Sequence, residues 1–287
     1  MDDLTPLLFA EIPATDASGK TILMYGHYDK QPGYEGKWRA GLDPWKPVRE
    51  GDLVYGRGMA DDGYALFAAV GAVEAAIRLG THPRIVIIAE GSEESGSPHL
   101  PQYLDRLKDR IGAPDVVVTL DDSARTVDRL WLNQSLRGLI EAYLTIETLG
   151  GIMHSGMASG VVPSVSRILR ILLGRIEDLE TGRITLPAAH APASDALHAH
   201  GKRLVDSFGD TYLDEYQLPE GLRPVGKNAH EHIHGNLLSP ALEITGVTGL
   251  PEARDAGTVT VGHLVVKLSL RIPAGVDPDA LAAEMHE

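Results

Sequence analysis

The chain has 287 residues, 43% of them hydrophobic and 23% charged, a balance that excludes a disordered or fibrous protein and leaves room for one large core or two moderate ones. Its 26 Lys and Arg against 40 Asp and Glu give a formal charge of −14, which repels phosphate backbones and anionic membranes and argues against a nucleic-acid partner. There is no cysteine, so thiolate catalysis, disulfides and Cys-ligated zinc are excluded, and any metal has to be held by His and carboxylates.

The opening Met-Asp-Asp-Leu-Thr-Pro lacks a basic region followed by an apolar stretch, and no apolar run approaches the roughly 18 residues that span a bilayer. A soluble, cytoplasmic protein is expected. The first 137 residues alternate strand-like and helical patterns, which predicts an α/β domain with a mostly parallel sheet. Residues 21–25 read as a strand, 64–79 as an Ala-rich helix, 85–88 as a β-branched strand, 98–110 as a helix and 116–120 as a strand. From Gly138 the pattern changes to α+β: a strand over 139–146, a helix over 162–179, a partly helical surface excursion over 186–220, then strands over 242–247 and 258–271. The predicted domains are therefore 1–137 and 138–287.

Chemistry-bearing residues follow these strands. Gly26-His27-Tyr28-Asp29 comes directly after the strand 21–25, at the carboxyl end where open α/β sheets place their ligands. Residues two apart on an extended segment face the same side, so Asp29 can hydrogen-bond one ring nitrogen of His27 and orient the other. Gly56-Arg57-Gly58-Met59-Ala60-Asp61-Asp62-Gly63 delivers two carboxylates to a helix start, where an Asp can also be a simple cap. A phosphate-binding loop is disfavoured because the Gly-Lys-Ser/Thr ending is missing. Glu90-Gly91-Ser92-Glu93-Glu94-Ser95-Gly96-Ser97 follows the next strand and Asp121-Asp122 the one after. Of two adjacent glutamates, one can bind metal while its neighbour takes a proton from water. Imidazole and carboxylate donors suit zinc, with manganese or cobalt as alternatives.

These motifs, Gly26-His27-Tyr28-Asp29-Lys30-Gln31-Pro32, Gly56-Arg57-Gly58 with Asp61-Asp62, Glu93-Glu94-Ser95-Gly96-Ser97 and Leu120-Asp121, in that order resemble the di-zinc metallopeptidase family of carnosinase-type dipeptidases, glutamate carboxypeptidase, succinyl-diaminopimelate desuccinylase and aminoacylase. The resemblance implies a catalytic domain, incomplete here, with an inserted α+β lid and dimerisation domain. It implies two Zn2+, Asp61 bridging them, His27 and Asp121 completing one site and Glu94 belonging to the other. Glu93 would be the general base for the bridging water, and Asp29 would tune His27. His154, in Met153-His154-Ser155-Gly156, resembles the lid histidine that steadies the oxyanion in the facing subunit. Arg271 resembles the lid arginine that grips a substrate carboxylate.

The implied function is metal-dependent hydrolysis of amide bonds in dipeptides or in C-terminal or N-acyl amino acids, by a homodimer joined through the lid. Two alternatives stay open: an N-acyl amino acid deacylase, and a non-catalytic truncated chain that keeps a dimerisation lid. The resemblance also implies that both ends of the family's length are missing, including the C-terminal histidine of the second metal site. Gly63 and Thr258 stand where the family often has lysine and asparagine. His198, His200, His230, His232 and His234 read as a solvated extended segment rather than as ligands.

Overall fold

In residues 84–90, Arg-Ile-Val-Ile-Ile-Ala-Glu, the five between the charged ends are apolar without alternation, as expected of a strand covered on both faces. In a computed structural model, which describes residues 4–122, 124, 126, 128–133, 135–216 and 218–286, that strand is interior to its sheet and six of its seven residues are buried. Backbone contacts divide the chain into two compact units, Met1–Asn133 and Gln134–Glu287.

The first unit contains β1 (Leu8–Ile12), β2 (Thr21–His27), the hairpin β3 (Val48–Glu50) and β4 (Leu53–Tyr55), α1 (Ala65–Leu79), β5 (Arg84–Glu90), α2 (Leu100–Ile111) and β6 (Val116–Thr119). Its main sheet has the order β1-β5-β2-β6. β2 runs parallel to both β5 and β6, whereas β1 adds an antiparallel edge to β5. β1 has no counterpart among the sequence-predicted strands. Its outward positions are mixed in polarity, so it carries no clean alternation.

α1 buries Ala65, Ala69 and Val73, four residues apart along one stripe. That stripe, with Ile85, Ile87 and the partly buried Met24 and Leu120, forms the core on one side of the sheet. On the other side Val86 and Ile88 pack with Ile111, Leu23 and Phe9. Small residues where α1 meets the sheet allow close approach. A Cβ on Gly26 would lie 2.4 Å from the Ala65 Cβ and 2.8 Å from an Asp62 carboxylate oxygen.

The second unit contains β7 (Gly138–Glu147), β8 (Met153–His154), the single-turn α3 (Ser155–Ala158), α4 (Val165–Ile176), α5 (Asp195–Phe208), α6 (Ala229–Leu238), β9 (Ala241–Thr248), β10 (Val259–Thr260), β11 (His263–Ile272) and α7 (Pro278–His286). β11 is the middle strand of the antiparallel order β7-β11-β9, and β10 pairs with β8. Leu264, Val266 and Leu268 point from β11 into a core with Ile146, Val165 and the apolar face of α4. Leu270 and Ile272 continue into a second cluster with Ile184, Ala189 and Leu281.

Two details differ from the expectations. The strand over 258–271 is two strands, interrupted where a side chain on Gly262 would meet Leu149 at 2.5 Å. The histidines expected on an extended segment lie on helices, His198 and His200 on α5 and His230, His232 and His234 on α6. α6 is capped by the Asn228 side chain, which accepts the Glu231 N–H at 3.0 Å, a signal that outweighs the His-rich composition. The partly helical excursion expected over 186–220 contains α5, followed by a 3-10 segment at Gly209–Tyr216. No helix among the described residues is long and apolar enough to cross a membrane.

Candidate metal centre

The parallel register brings three chain segments to one end of the sheet. His27 on β2 is level with Glu90 on β5, and Tyr25 is level with Thr119 on β6. The chain continues each line of pairing past the strand ends: the Tyr28 N–H donates to the Glu90 carbonyl and the Leu120 N–H to the Tyr25 carbonyl, both at 2.8 Å. The turn with Glu93 and Glu94 and the segment with Asp121 therefore emerge on either side of His27.

A fourth segment arrives at the start of α1. Asp62 is 1% exposed, and its carboxylate accepts the His27 N–H at 3.0 Å and the Ala65 N–H at 3.3 Å. It thereby ties the end of β2 to the first turn of α1. The Asp61-Asp62 peptide bond is cis. Asp61 itself is exposed and its Oδ1 lies 3.2 Å from His27 Nε2.

The His27 imidazole is enclosed, with no exposed side-chain area. Its Nδ1 lies 3.2 Å from Asp29 Oδ1 and 3.2 Å from the Asp29 carbonyl oxygen. Its Nε2 looks into a ring of carboxylates: Asp61 Oδ1 at 3.2 Å, Asp121 Oδ1 at 3.5 Å and Glu93 Oε2 at 3.9 Å. Glu94 accepts both the backbone N–H of Gln31, at 3.1 Å, and its side-chain amide. Asp29 accepts the backbone N–H groups of Glu93, at 3.1 Å, and Glu94, at 3.0 Å.

So many like charges at one place are unfavourable without a cation. Burial raises the Asp121 carboxyl, His27 pulls it back, and Asp62 and Asp61 push it up again. Burial likewise raises Glu93; His27 opposes that, and Asp121, Glu94 and Asp29 add to it. Burial alone would lower His27, but Asp121, Glu93, Asp62 and Asp29 outweigh it and leave the imidazole raised. Among the described residues the ion pairs of Asp29, Asp61, Glu93 and Asp121 all run to this one imidazole. Among the described residues no lysine or arginine forms an ion pair with them.

Two overlapping groups could hold a metal ion: His27, Glu93 and Asp121, and His27, Asp61 and Glu94. In each, one ligand atom per residue lies within 4.8 Å of the others. One imidazole and a surplus of carboxylate oxygens, without thiolate and, among the described residues, without a paired lysine or arginine, fit a divalent cation. His27 is common to both groups, Glu93 falls in one and its neighbour Glu94 in the other.

The structure thus brings together six of the eight residues singled out in the sequence: His27, Asp29, Asp61, Glu93, Glu94 and Asp121. His154 and Arg271 belong to the second unit. His154 ends β8 and caps α3, its Nδ1 accepting the Gly156 N–H at 3.1 Å. Arg271 projects from the exposed face of β11 between Leu139 and Ala241. Sequence reasoning gave no role to Gln31, which braces Glu94, and offered the Asp61-Asp62 pair a capping role at the helix start, which the bond from the Ala65 N–H to the buried Asp62 fits. Both stood inside quoted motifs, but only the fold shows what they touch.

Peptidase family M20/M25/M40 matches residues 23–261. The Cys-Gly metallodipeptidase DUG1 of Candida albicans is 26% identical over 286 residues, covering 97% of this chain and 58% of that protein. The Beta-Ala-His dipeptidase of Mus musculus is 27% identical over 298 residues, covering 99% of this chain and 58% of that protein. The solved structure of the dipeptidase Dug1p from Saccharomyces cerevisiae superposes with a TM-score of 0.77 at 27% identity, over 98% of this chain and 59% of that one. The chain therefore spans somewhat more than half the length of these relatives.

Proposed function

The chain belongs to peptidase family M20/M25/M40, and from that premise we propose that it is the metal-holding part of a dipeptidase, binding two zinc ions and hydrolysing the amide bond of a dipeptide. The observation that carries this reading is the convergence of His27 Nε2 with Asp61, Asp121 and Glu93 oxygens within 3.9 Å, with no lysine or arginine paired to them among the described residues. The related proteins named as Cys-Gly and Beta-Ala-His dipeptidases supply the substrate class. Manganese or cobalt suits the same donors.

When bound, the cations polarise the scissile carbonyl and lower the pKa of water. The rest of the chemistry belongs to this chain. His27, Asp61, Asp121 and Glu94 hold the site, and Asp29 orients His27 through Nδ1. Glu93 accepts a proton from the attacking water at its carboxylate and delivers it to the departing amine nitrogen. The amide C–N bond breaks, leaving one carboxylate and one free amine. A carboxyl raised by burial and by neighbouring negative charge suits that exchange, because its proton affinity lies closer to neutral pH. In the second unit, Arg271 grips a substrate carboxylate and His154 steadies the oxyanion of a substrate held by the facing copy of the chain. That unit also serves as the lid through which two copies of the chain pair.

The experiment is elemental analysis of the purified chain beside hydrolysis of a dipeptide and of an N-acetyl amino acid, with zinc, manganese or cobalt added. Two ions per chain with faster cleavage of the dipeptide is the expected result. Fewer than two ions with no turnover would overturn it.

A further inference from the structure

Glu90 is three residues ahead of Glu93, belongs to neither donor group, and is 2% exposed. In the sequence it opens the acidic motif Glu90-Gly91-Ser92-Glu93-Glu94. In the fold it ends β5 inside the protein, level with His27, and among the described residues it pairs with no lysine, arginine or histidine. Burying a carboxylate is costly unless it is well hydrogen-bonded, and three hydroxyl groups meet that need. Tyr25 and Ser97 donate to Oε1, Ser97 at 2.8 Å, and Ser92 donates to Oε2 at 3.4 Å. The Tyr25 hydroxyl stays protonated well above the ordinary phenol range, through burial first and then through its hydrogen bond to Glu90 and the charges of Glu90 and Glu93.

The placement of these donors matters. Ser92 and Ser97 flank the turn that carries Glu93 and Glu94. The turn is closed on itself, with the Ser97 N–H on the Ser92 carbonyl at 2.9 Å and the Gly96 N–H on the Glu93 carbonyl at 2.7 Å. Ser97 has a φ of 52°, a conformation non-glycine residues seldom adopt without support from their surroundings. Tyr25 lies on β2, two residues before His27. One buried carboxylate therefore clasps both ends of the Glu93-Glu94 turn and fastens them to the strand that presents the imidazole.

We propose that Glu90 is a positioning residue: through Ser92, Ser97 and Tyr25 it holds the Glu93-Glu94 turn in register with His27, so that both glutamates face the same imidazole. The inference rests on the dipeptidase reading for its kinetic consequence but not for its geometric one. Glu90→Gln keeps the clasp, because an amide can exchange donor and acceptor roles with three rotatable hydroxyls. Glu90→Met keeps the volume and removes it. Tyr25→Phe and Ser97→Ala each remove one donor and leave the carboxylate in place.

The test uses the full chain with Co2+ as the probe, read by visible absorption, together with kcat and KM for a dipeptide. In Glu90→Met the Co2+ spectrum should change and kcat should fall about 10–100-fold with KM near its original value, the size expected of outer partners of a metal site. Tyr25→Phe and Ser97→Ala should move in the same direction by less, and Glu90→Gln should stay close to the parent protein. An unchanged Co2+ spectrum and kcat in folded Glu90→Met overturns the inference. So does a fall in Tm with neither of them altered, since that marks a structural role alone. If Glu90→Met does not fold, Tyr25→Phe and Ser97→Ala decide by the same two readouts. Failure of the dipeptidase reading is separately visible: the parent chain would not turn over, while the Co2+ spectra still report whether the turn is held against His27.

Discussion

Asp29 holds three partners at once: its Oδ1 is 3.2 Å from His27 Nδ1, and its two oxygens accept the backbone N–H groups of Glu93 and Glu94 at 3.1 and 3.0 Å. A single carboxylate thus orients the imidazole and the paired glutamates together. Asp29→Asn keeps the shape but cannot accept on both sides, and a metal-binding titration should show affinity about 10–100-fold weaker. Unaltered affinity would remove Asp29 from the orientation of the site.

Glu93 and Glu94 are adjacent yet differently held, Glu94 by Gln31 and Glu93 facing His27 Nε2. Glu93→Gln should retain the bound metal and lower kcat about 10²–10⁴-fold. Asp61→Asn should instead lower metal content, because the proposed role of Asp61 is to hold the cations whereas that of Glu93 is to take the proton from water. Elemental analysis beside steady-state rates separates the two. Near-normal turnover in Glu93→Gln would falsify its assignment as the base.

Removing the metal should unmask the repulsion among Asp61, Asp121 and Glu93. A ligand that binds only the folded chain stabilises it by mass action, so adding a chelator should lower Tm, and added zinc should restore it. A Tm indifferent to chelator and to zinc would mean that the donor groups do not hold a cation.

Gly26 has no room for a side chain, since a Cβ would sit 2.4 Å from the Ala65 Cβ and 2.8 Å from an Asp62 oxygen. Gly26→Ala should cost about 1–3 kcal/mol of stability by overpacking. It should also weaken metal binding, because Asp62 holds the His27 backbone. Denaturant unfolding checks the first effect and a metal titration the second.

Glu177, just past α4, is raised by burial and then by the facing Glu243. Its folded-state pKa therefore lies above its unfolded value. A group shifted in this direction contributes stability below the unfolded pKa and loses it as pH rises through the folded one. Glu177→Gln should leave Tm unchanged in acid and raise it on the order of 1 °C at neutral pH. An equal effect at both pH values would exclude this origin.

The alternation of strands and helices and the ordered His, Asp and Glu motifs were legible in the amino-acid sequence, because hydrophobic periodicity and strand-end placement are local properties. Residues 21–25 and 85–88 are apolar runs that become interior strands of the sheet, 116–120 is an apolar run whose strand lies exposed at the sheet edge, and the family's motifs follow each of them. β1 was not legible, since an edge strand of mixed polarity depends on its neighbour for definition. α6 was missed because histidines dominate its composition, although Asn228 and Glu231 carried a capping signal.

Only the tertiary structure decided that His27 is common to both donor groups, that Asp29 grips the turn at 93–94 as well as the imidazole, and that Glu90 is buried rather than solvated. Each of those relationships joins segments about 60 or more residues apart. They depend on the register between parallel strands, which sets which strand ends lie level, and no local pattern in the chain encodes that register.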